Sequence, residues 1–313
     1  MALTIGVDVG GTKIAAGVVD ESGTVLDEAV RRSPATDTEA IEEAIADAVA
    51  ALARRYEVVG VGVGAAGFVD AARSTVLIAP NLAWRDEPLK AELERRTGLP
   101  VVVENDANAA AWGEFQYGAG HDVDDLLLVT VGTGVGGGLV LDGALYRGAF
   151  GIAAEIGHMR VVPNGRECGC GNLGCWEQYA SGTALVRTVH EDARTGSAGA
   201  TALLELAGGD VEGITGRMVT QAARDGDGYA REKVDEIGRW LGEGIATLAA
   251  VLDPATVALG GGVADAGELL TRPAADAFRA TLTGRGHRPE LEIRKAQLGN
   301  QAGLIGAADL SRR

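Results

Sequence analysis

Lysine is nearly missing from this chain: of its 28 Lys and Arg residues only Lys13, Lys90, Lys233 and Lys295 are lysine. That bias reads as genome composition and carries no functional weight. The shortage of positive charge as a whole is more telling. Against 44 acidic residues it leaves a formal net charge of −16. Nonspecific nucleic-acid binding needs a cationic surface that releases counterions, so no nucleic-acid partner is expected. Aromatic residues make up only 4%, so aliphatic and small side chains must fill the cores. No apolar run approaches the roughly 18 residues of a membrane helix. The N-terminus reads MALTIGVDVGGTK, with no charged leader or cleavage site. The expectation is a cytoplasmic protein without membrane contact. Cysteine is equally sparse. Three thiols, all between 168 and 175, are not a disulfide framework and suit a reducing compartment.

Glycine, by contrast, is abundant at 47 residues, and hydrophobic content is 46% with a mean hydropathy of +0.09. That composition belongs to a globular protein with many tight turns. At about 100–200 residues per domain, 313 residues suggest two domains. Residues 3–9, 13–20 and 24–31 read as three strands joined by tight turns. A helix is predicted over 38–55, with Thr36 and Glu39 spaced as a capping box. A strand at 58–63, a helix from about Pro88 to Gly98 and a strand at 101–104 follow. The pattern then restarts: a strand at 126–131, a glycine-rich turn over 132–138, a returning strand at 139–142 and a hairpin turn at Asp142-Gly143. Set side by side, VDVGGTKIAAGVVD and VTVGTGVGGGLVLD form a weak internal repeat. The second half is richer in helix, with a long one from about Tyr229 to Leu252, a strand at 256–259, a helix through about Phe278, a strand at 291–295 and a C-terminal helix.

Five motifs carry candidate chemistry. In Asp8-Val9-Gly10-Gly11-Thr12-Lys13 a small-residue turn lets backbone N–H groups approach a phosphate, Thr12 adds a donor, Lys13 a charge, and Asp8 a carboxylate for Mg²⁺. An ordinary hairpin explains that turn equally well. Gly132-Thr133-Gly134 repeats the device, and Gly260-Gly261-Gly262 follows a strand in a position to line a nucleotide. Glu104-Asn105-Asp106-Ala107-Asn108 ends a strand and opens a helix. Its Asn and Asp are natural N-caps, yet the carboxyl end of a strand is where α/β sheets bind ligands. His158 with Cys168, Cys170 and Cys175 makes a closed tetrahedral zinc set. Glu155, three before His158, and Glu177, two after Cys175, would be positioned by the same loop. The apolar neighbours of Glu155 (Ile152, Ala153, Ala154, Ile156) argue against a merely solvated charge there.

Together these residues resemble the ROK family of repressors and sugar kinases, and within it the bacterial glucokinases. The resemblance covers the whole chain, through DVGGTK at 8–13, ENDANAAAWGE at 104–114, VGTGVGGG at 131–138, GIAAEIGH at 151–158, CGCGNLGCWEQYASG at 168–182 and GGGV at 260–263. It implies an α/β chain with two ribonuclease-H-like (actin-like ATPase, sugar kinase) domains and an interdomain cleft. The first domain would span 1–108, completed by the C-terminal helix at about 300–313. The second, 109–299, would hold the zinc loop. It further implies ATP-dependent phosphorylation of glucose at the 6-hydroxyl, with Asp106 as catalytic base. Gly67, Asn81, Asn105, Asp106, Glu155, His158 and Glu177 would bind sugar, His158 giving one ring nitrogen to zinc and the other to the substrate. Asp8, Gly10, Gly11, Thr12, Lys13, Gly132, Thr133, Gly134, Gly261 and Gly262 would bind ATP with Mg²⁺. The zinc would be structural, and the assembly a homodimer or homotetramer. Kinases of mannose or an N-acetylhexosamine stay open as alternatives. A sugar-responsive regulator is disfavoured, since the phosphate motif begins at residue 8 and leaves no room for the DNA-binding domain that role needs.

Overall fold

The computed structural model describes residues 2–313. The first sheet starts with β1 (Leu3–Val9), β2 (Lys13–Val19) and β3 (Val25–Arg32), antiparallel neighbours joined by tight turns. Helix α1 (Thr38–Ala53) leads to β4 (Val58–Ala65), which pairs parallel to β1. Short strands β5 (Phe68–Val69), β6 (Val76–Ile78) and β7 (Arg85–Glu87) form a small separate sheet. Helix α2 (Leu89–Thr97) ends on left-handed Gly98 and delivers β8 (Val101–Asn105) to the far side of β4. Helix α3 (Asp106–Tyr117) follows without a break. The strand order is β3-β2-β1-β4-β8.

The second sheet repeats that order. β9 (Leu126–Val131), β10 (Val135–Leu141) and β11 (Ala144–Leu145) come first. A loop region holds α4 (Glu177–Ala180), and then come α5 (Gly182–Arg194), α6 (Thr201–Leu206), α7 (Gly216–Asp225) and α8 (Gly228–Leu252). β12 (Thr256–Gly260), α9 (Glu268–Thr281), β13 (Glu292–Lys295) and α10 (Ala302–Leu310) close the chain. The order β11-β10-β9-β12-β13 gives the weak sequence repeat a structural basis.

The chain packs as two compact units. One holds everything up to Leu128 with Gly138–Ala154 and Gln297–Arg313; the other holds Val129–Gly137 and Glu155–Ala296. In the first, α1 and α2 bury Ile41, Ile45, Leu52, Leu89 and Leu93 with Ile5, Val7 and Val63 of the sheet. Full burial of each such side chain contributes about 1.5–3 kcal/mol. Helix α10 packs against β1 and α3, and buried Asp309 pins it there by accepting from Trp112 Nε1 (2.8 Å) and Tyr117 Oη (2.7 Å). In the second, α8 lies along α9, burying Leu241, Ile245, Leu270 and Phe278.

Two local expectations need correction. The cap of α1 is Asp37, whose carboxylate accepts from Ala40 N at 3.1 Å, not a Thr36–Glu39 box. Both sequences satisfy capping chemistry, and the aspartate wins by direct placement at the non-helical residue. The glycine-rich turn is also shorter than 132–138, because β10 begins at Val135. Gly138 is a strand residue kept small by packing: a Cβ there would lie 2.5 Å from Ala111 Cβ and 2.6 Å from Ala107 O of α3.

Candidate active site and metal centre

In the first unit the carboxyl ends of three parallel strands lie side by side. The register places Asp8 beside Gly64 and Gly64 beside Glu104, with Ala65 beside Asn105. Asn105 caps α3 by accepting from Asn108 N at 3.0 Å, and its amide donates to Gly67 O at 3.0 Å. The capping role read from the sequence is therefore real, and it falls on Asn105. Asp106, the first residue of α3, is only partly buried, and its Oδ1 accepts from Ala107 N at 2.9 Å. Both Asp8 and Asp106 border Gly303 of α10: a Cβ there would sit 3.7 Å from Asp8 Oδ1 and 3.8 Å from Asp106 O. Burial raises the Asp8 carboxyl above the ordinary value, with Lys13 pulling the other way. The Gly10–Gly11 turn abuts exposed Asn81, whose carbonyl would be 3.3 Å from a Cβ on Gly11. Thr12 and Lys13 point to solvent. Asp8, Gly10, Gly11, Gly67, Asn81, Asn105 and Asp106 thus share one end of the first sheet.

In the second unit the turn after β9 is closed by Gly132 N donating to Gly134 O at 3.0 Å. The start of α5 meets it through Gly182 N and Gly132 O, 2.8 Å apart. Gly261 holds φ +83 directly beside Val131, where a Cβ would be 2.6 Å from the carbonyl oxygen. A cavity of about 1060 Å³ opens from this junction, lined by Gly132, Thr133, Thr183, Gly262 and Val263. Four arginines, Arg187, Arg194, Arg217 and Arg224, with His190, Gln221 and Asp265, complete its wall. The sequence reading missed all of the latter. They are spread over α5, α7 and the loop after β12 with no local pattern. The only signal was Ser181 capping α5, accepting from Ala184 N at 3.1 Å, next to a glycine-rich segment.

Glu155 and His158 bracket one 3₁₀ turn, Ile156–His158, rather than a turn of α-helix. Glu155 is exposed at its surface, yet burial of its carboxyl raises it above the ordinary value, with His158 pulling the other way and Glu177 adding to the rise, so it is not a merely solvated charge; Ile156 beside it is buried. Nδ1 of His158 and the sulfurs of Cys168, Cys170 and Cys175 bear on one point: the ligand atoms of these four residues all lie within 4.8 Å of one another. Cys168 Sγ is 3.7 Å from His158 Nδ1, and the Cys170 and Cys175 sulfurs are 3.6 Å apart. That is far beyond the S–S bond of about 2.05 Å. It is close to the edge of a tetrahedron with about 2.3 Å metal–sulfur bonds, roughly 3.8 Å. The donor set fits a closed, four-coordinate zinc ion. Glu177 reaches the edge of the set, its Oε1 3.0 Å from Cys168 Sγ and 3.7 Å from His158 Nδ1. Its other oxygen faces Gly134 closely enough that any side chain there would collide with it. Buried Trp176, donating to Trp240 O at 2.8 Å, anchors the loop between Cys175 and α4.

Residues 4–313 match the ROK family. The chain belongs to that family. The glucokinase of Streptomyces coelicolor is 52% identical over 312 residues, spanning 100% of this chain and 98% of that protein. The crystal structure of a ROK family glucokinase from Streptomyces griseus in complex with glucose and AMPPNP has a TM-score of 0.91 and 54% identity, covering 99% of each chain. The N-acetylmannosamine kinase of Escherichia fergusonii is 34% identical over 310 residues, 98% of both chains. The two sheets of identical strand order are the two actin-like ATPase-fold domains of ROK sugar kinases. Among the described residues, no helix is long and apolar enough to cross a membrane.

Proposed function

We propose that this chain transfers the γ-phosphoryl group of MgATP to the 6-hydroxyl of glucose. The observation that carries the reading is the 52% identity to a glucokinase over the full chain. The geometry agrees with it from both units. The first gathers two carboxylates, Asp8 and Asp106, and a Gly10–Gly11 turn at strand ends, where α/β sheets take ligands. The second offers a cavity of nucleotide size lined by four arginines in a chain of net charge −16.

Asp106 is the general base. The 6-oxygen attacks the γ-phosphorus in line, a new O–P bond forms, the bond to the ADP oxygen breaks, and the hydroxyl proton passes to the Asp106 carboxylate. In a loose transition state the proton leaves late, so an unremarkable carboxylate suffices and its chief task is to orient the nucleophile. Gly67, Asn81, Asn105, Glu155, His158 and Glu177 hold the sugar hydroxyls. Asp8, Gly10, Gly11, Thr12, Lys13, Gly132, Thr133, Gly134, Gly261 and Gly262 hold MgATP. With few lysines, much of the phosphate charge must be met by backbone N–H groups of the two turns.

His158, Cys168, Cys170 and Cys175 hold a zinc ion. Four protein ligands leave no position for an activated water, so the ion supplies order rather than chemistry. With Nδ1 on the sulfur side, His158 has Nε2 free for a sugar hydroxyl, and Glu177 is tethered beside Cys175. The enzyme works in the cytoplasm as a homodimer or homotetramer. A coupled assay with MgATP across glucose, mannose, fructose, N-acetylglucosamine and N-acetylmannosamine tests the reading. Glucose should be turned over best. A preferred N-acetylhexosamine would overturn glucose but keep the kinase, and no phosphorylation of any hexose would overturn both.

A further inference from the structure

Glu104 is the residue immediately before Asn105 and Asp106, and the mechanism above gives it no task. It is 1% exposed. A buried carboxylate persists only where partners replace its water, and those partners span the unit. Oε1 accepts from Asn105 N at 3.0 Å and from Asn108 Nδ2 at 3.1 Å, on either side of Asp106. Oε2 forms ion pairs with Arg147 Nε at 2.8 Å and Arg73 Nε at 3.2 Å, without a hydrogen bond to either. Arg147 spreads its other two nitrogens over the carbonyls of Ala71 (2.9 Å) and Asp70 (2.8 Å). Arg73 is held at φ +58, a conformation non-glycine residues rarely adopt, and its carbonyl accepts from Val103 N at 3.1 Å. Asp70 is occupied separately by Ser74 and Thr75.

This is more than the fold requires. Asn105 already caps α3, and buried ion pairs are often replaceable by apolar residues without loss of stability. What the arrangement does achieve is local rigidity. One carboxylate holds Asn105, directly before Asp106, and Asn108, two residues after it, while Arg147 ties that grip to the segment after Val69. We propose that Glu104 and Arg147, with Arg73 in support, are positioning residues that fix the direction of the Asp106 carboxylate. The proposal rests on the reading of Asp106 as the base. Displacing a catalytic group by about an ångström can cost about 10²-fold in rate.

The test compares Glu104→Gln, Arg147→Met, Arg147→Lys and Asp106→Asn by steady-state kinetics, with thermal melting of each. In Glu104→Gln and Arg147→Met, kcat should fall by about 10²-fold, with KM for ATP within about twofold of the wild type. Arg147→Lys keeps the charge but loses the fork on Ala71 and Asp70, and should fall in between. Because the pair acts as a unit, the double variant should lose little more than either single one. Should Glu104→Gln fail to fold, the two Arg147 variants carry the same comparison. Folded Glu104→Gln or Arg147→Met protein with wild-type kcat, beside an inactive Asp106→Asn, overturns the positioning role alone. Near-native turnover in Asp106→Asn overturns the reading of Asp106 and the positioning role with it.

Discussion

The two sheets are copies in topology and opposites in chemical loading. In the first, strand ends carry the charged and polar groups: Asp8 on β1, and Glu104 and the neutral Asn105 on β8 followed by Asp106. In the second, the position matching Asp8 in the repeat is Thr130, and the strand matching β8 is β13, which ends at exposed Lys295. Its chemistry lies instead in the turn after β9, in helices α5 and α7, and in the loop between β11 and α5 that holds the cysteines. A repeated fold supplies two similar frames. The first is loaded on its rigid strand ends, the second through an insertion that a metal ion would have to stiffen.

The largest test of that contrast is a pair of substitutions at matching strand ends. Asp106→Asn preserves shape and removes the proton acceptor proposed above, so kcat should fall by about 10²–10⁴-fold. Lys295→Met, at the end of β13, should change turnover by less than about twofold. Steady-state assays of both proteins decide it; comparable losses would mean that the second sheet is loaded as well.

The next test removes the stiffening of the insertion. Cys168→Ala takes one ligand from the tetrahedral set. Zinc content by elemental analysis should drop from one per chain toward zero, and KM for glucose should rise by about 10–100-fold, the range seen when the surroundings of metal sites are disturbed. Binding of ATP should change little. Zinc missing from active wild-type protein, or a zinc-free variant that binds glucose normally, would contradict the role given to the ion.

The two glycine-rich turns should also part company. A side chain on Gly11 meets only Asn81, at 3.3–3.4 Å, so Gly11→Val should weaken ATP by roughly tenfold with glucose binding spared, an effect of about 1.4 kcal/mol. A side chain on Gly134 runs into the Glu177 carboxylate, so Gly134→Val should weaken both ligands. Calorimetric titration of each ligand into each variant measures the difference.

How far the sequence foretold this depends on the range over which each feature is encoded. Strand alternation and helical period are local, and β1, β9 and α8 lie where they were expected. The repeat was visible because its two copies keep a hydrophobic strand directly before a small-residue turn. The cysteines needed no structure, because spacing alone brings them together. What escaped was non-local. Glu104 looks like the end of a strand until Arg73 and Arg147 arrive from other segments, and Trp112 and Tyr117 look like ordinary helix residues until Asp309 closes on them. The arginines around the large cavity share no motif. Gly136–Gly138 look like turn residues, but Gly138 is small because α3 lies against it.

The smallest expected effect concerns the accessory strands of the first unit, which have a titrating group of their own. Glu87, at the end of β7, is pushed up to about 7 by burial and by the neighbouring Glu42, with which it shares a hydrogen bond. Its ordinary value is 4.5. Between these two values the folded chain holds a proton that the unfolded chain has released. Stability therefore falls as pH rises across this window, with the contribution complete below about 4.5 and lost above about 7. Glu87 is only partly buried, so solvent screening keeps the change modest. Urea unfolding midpoints at pH 5 and pH 7.5 measure it. Glu87→Gln stays neutral throughout and keeps a donor for Glu42, so its midpoint should fall less over that interval than the wild type's. Equal slopes in the two proteins would mean that the proton is not held at this pair.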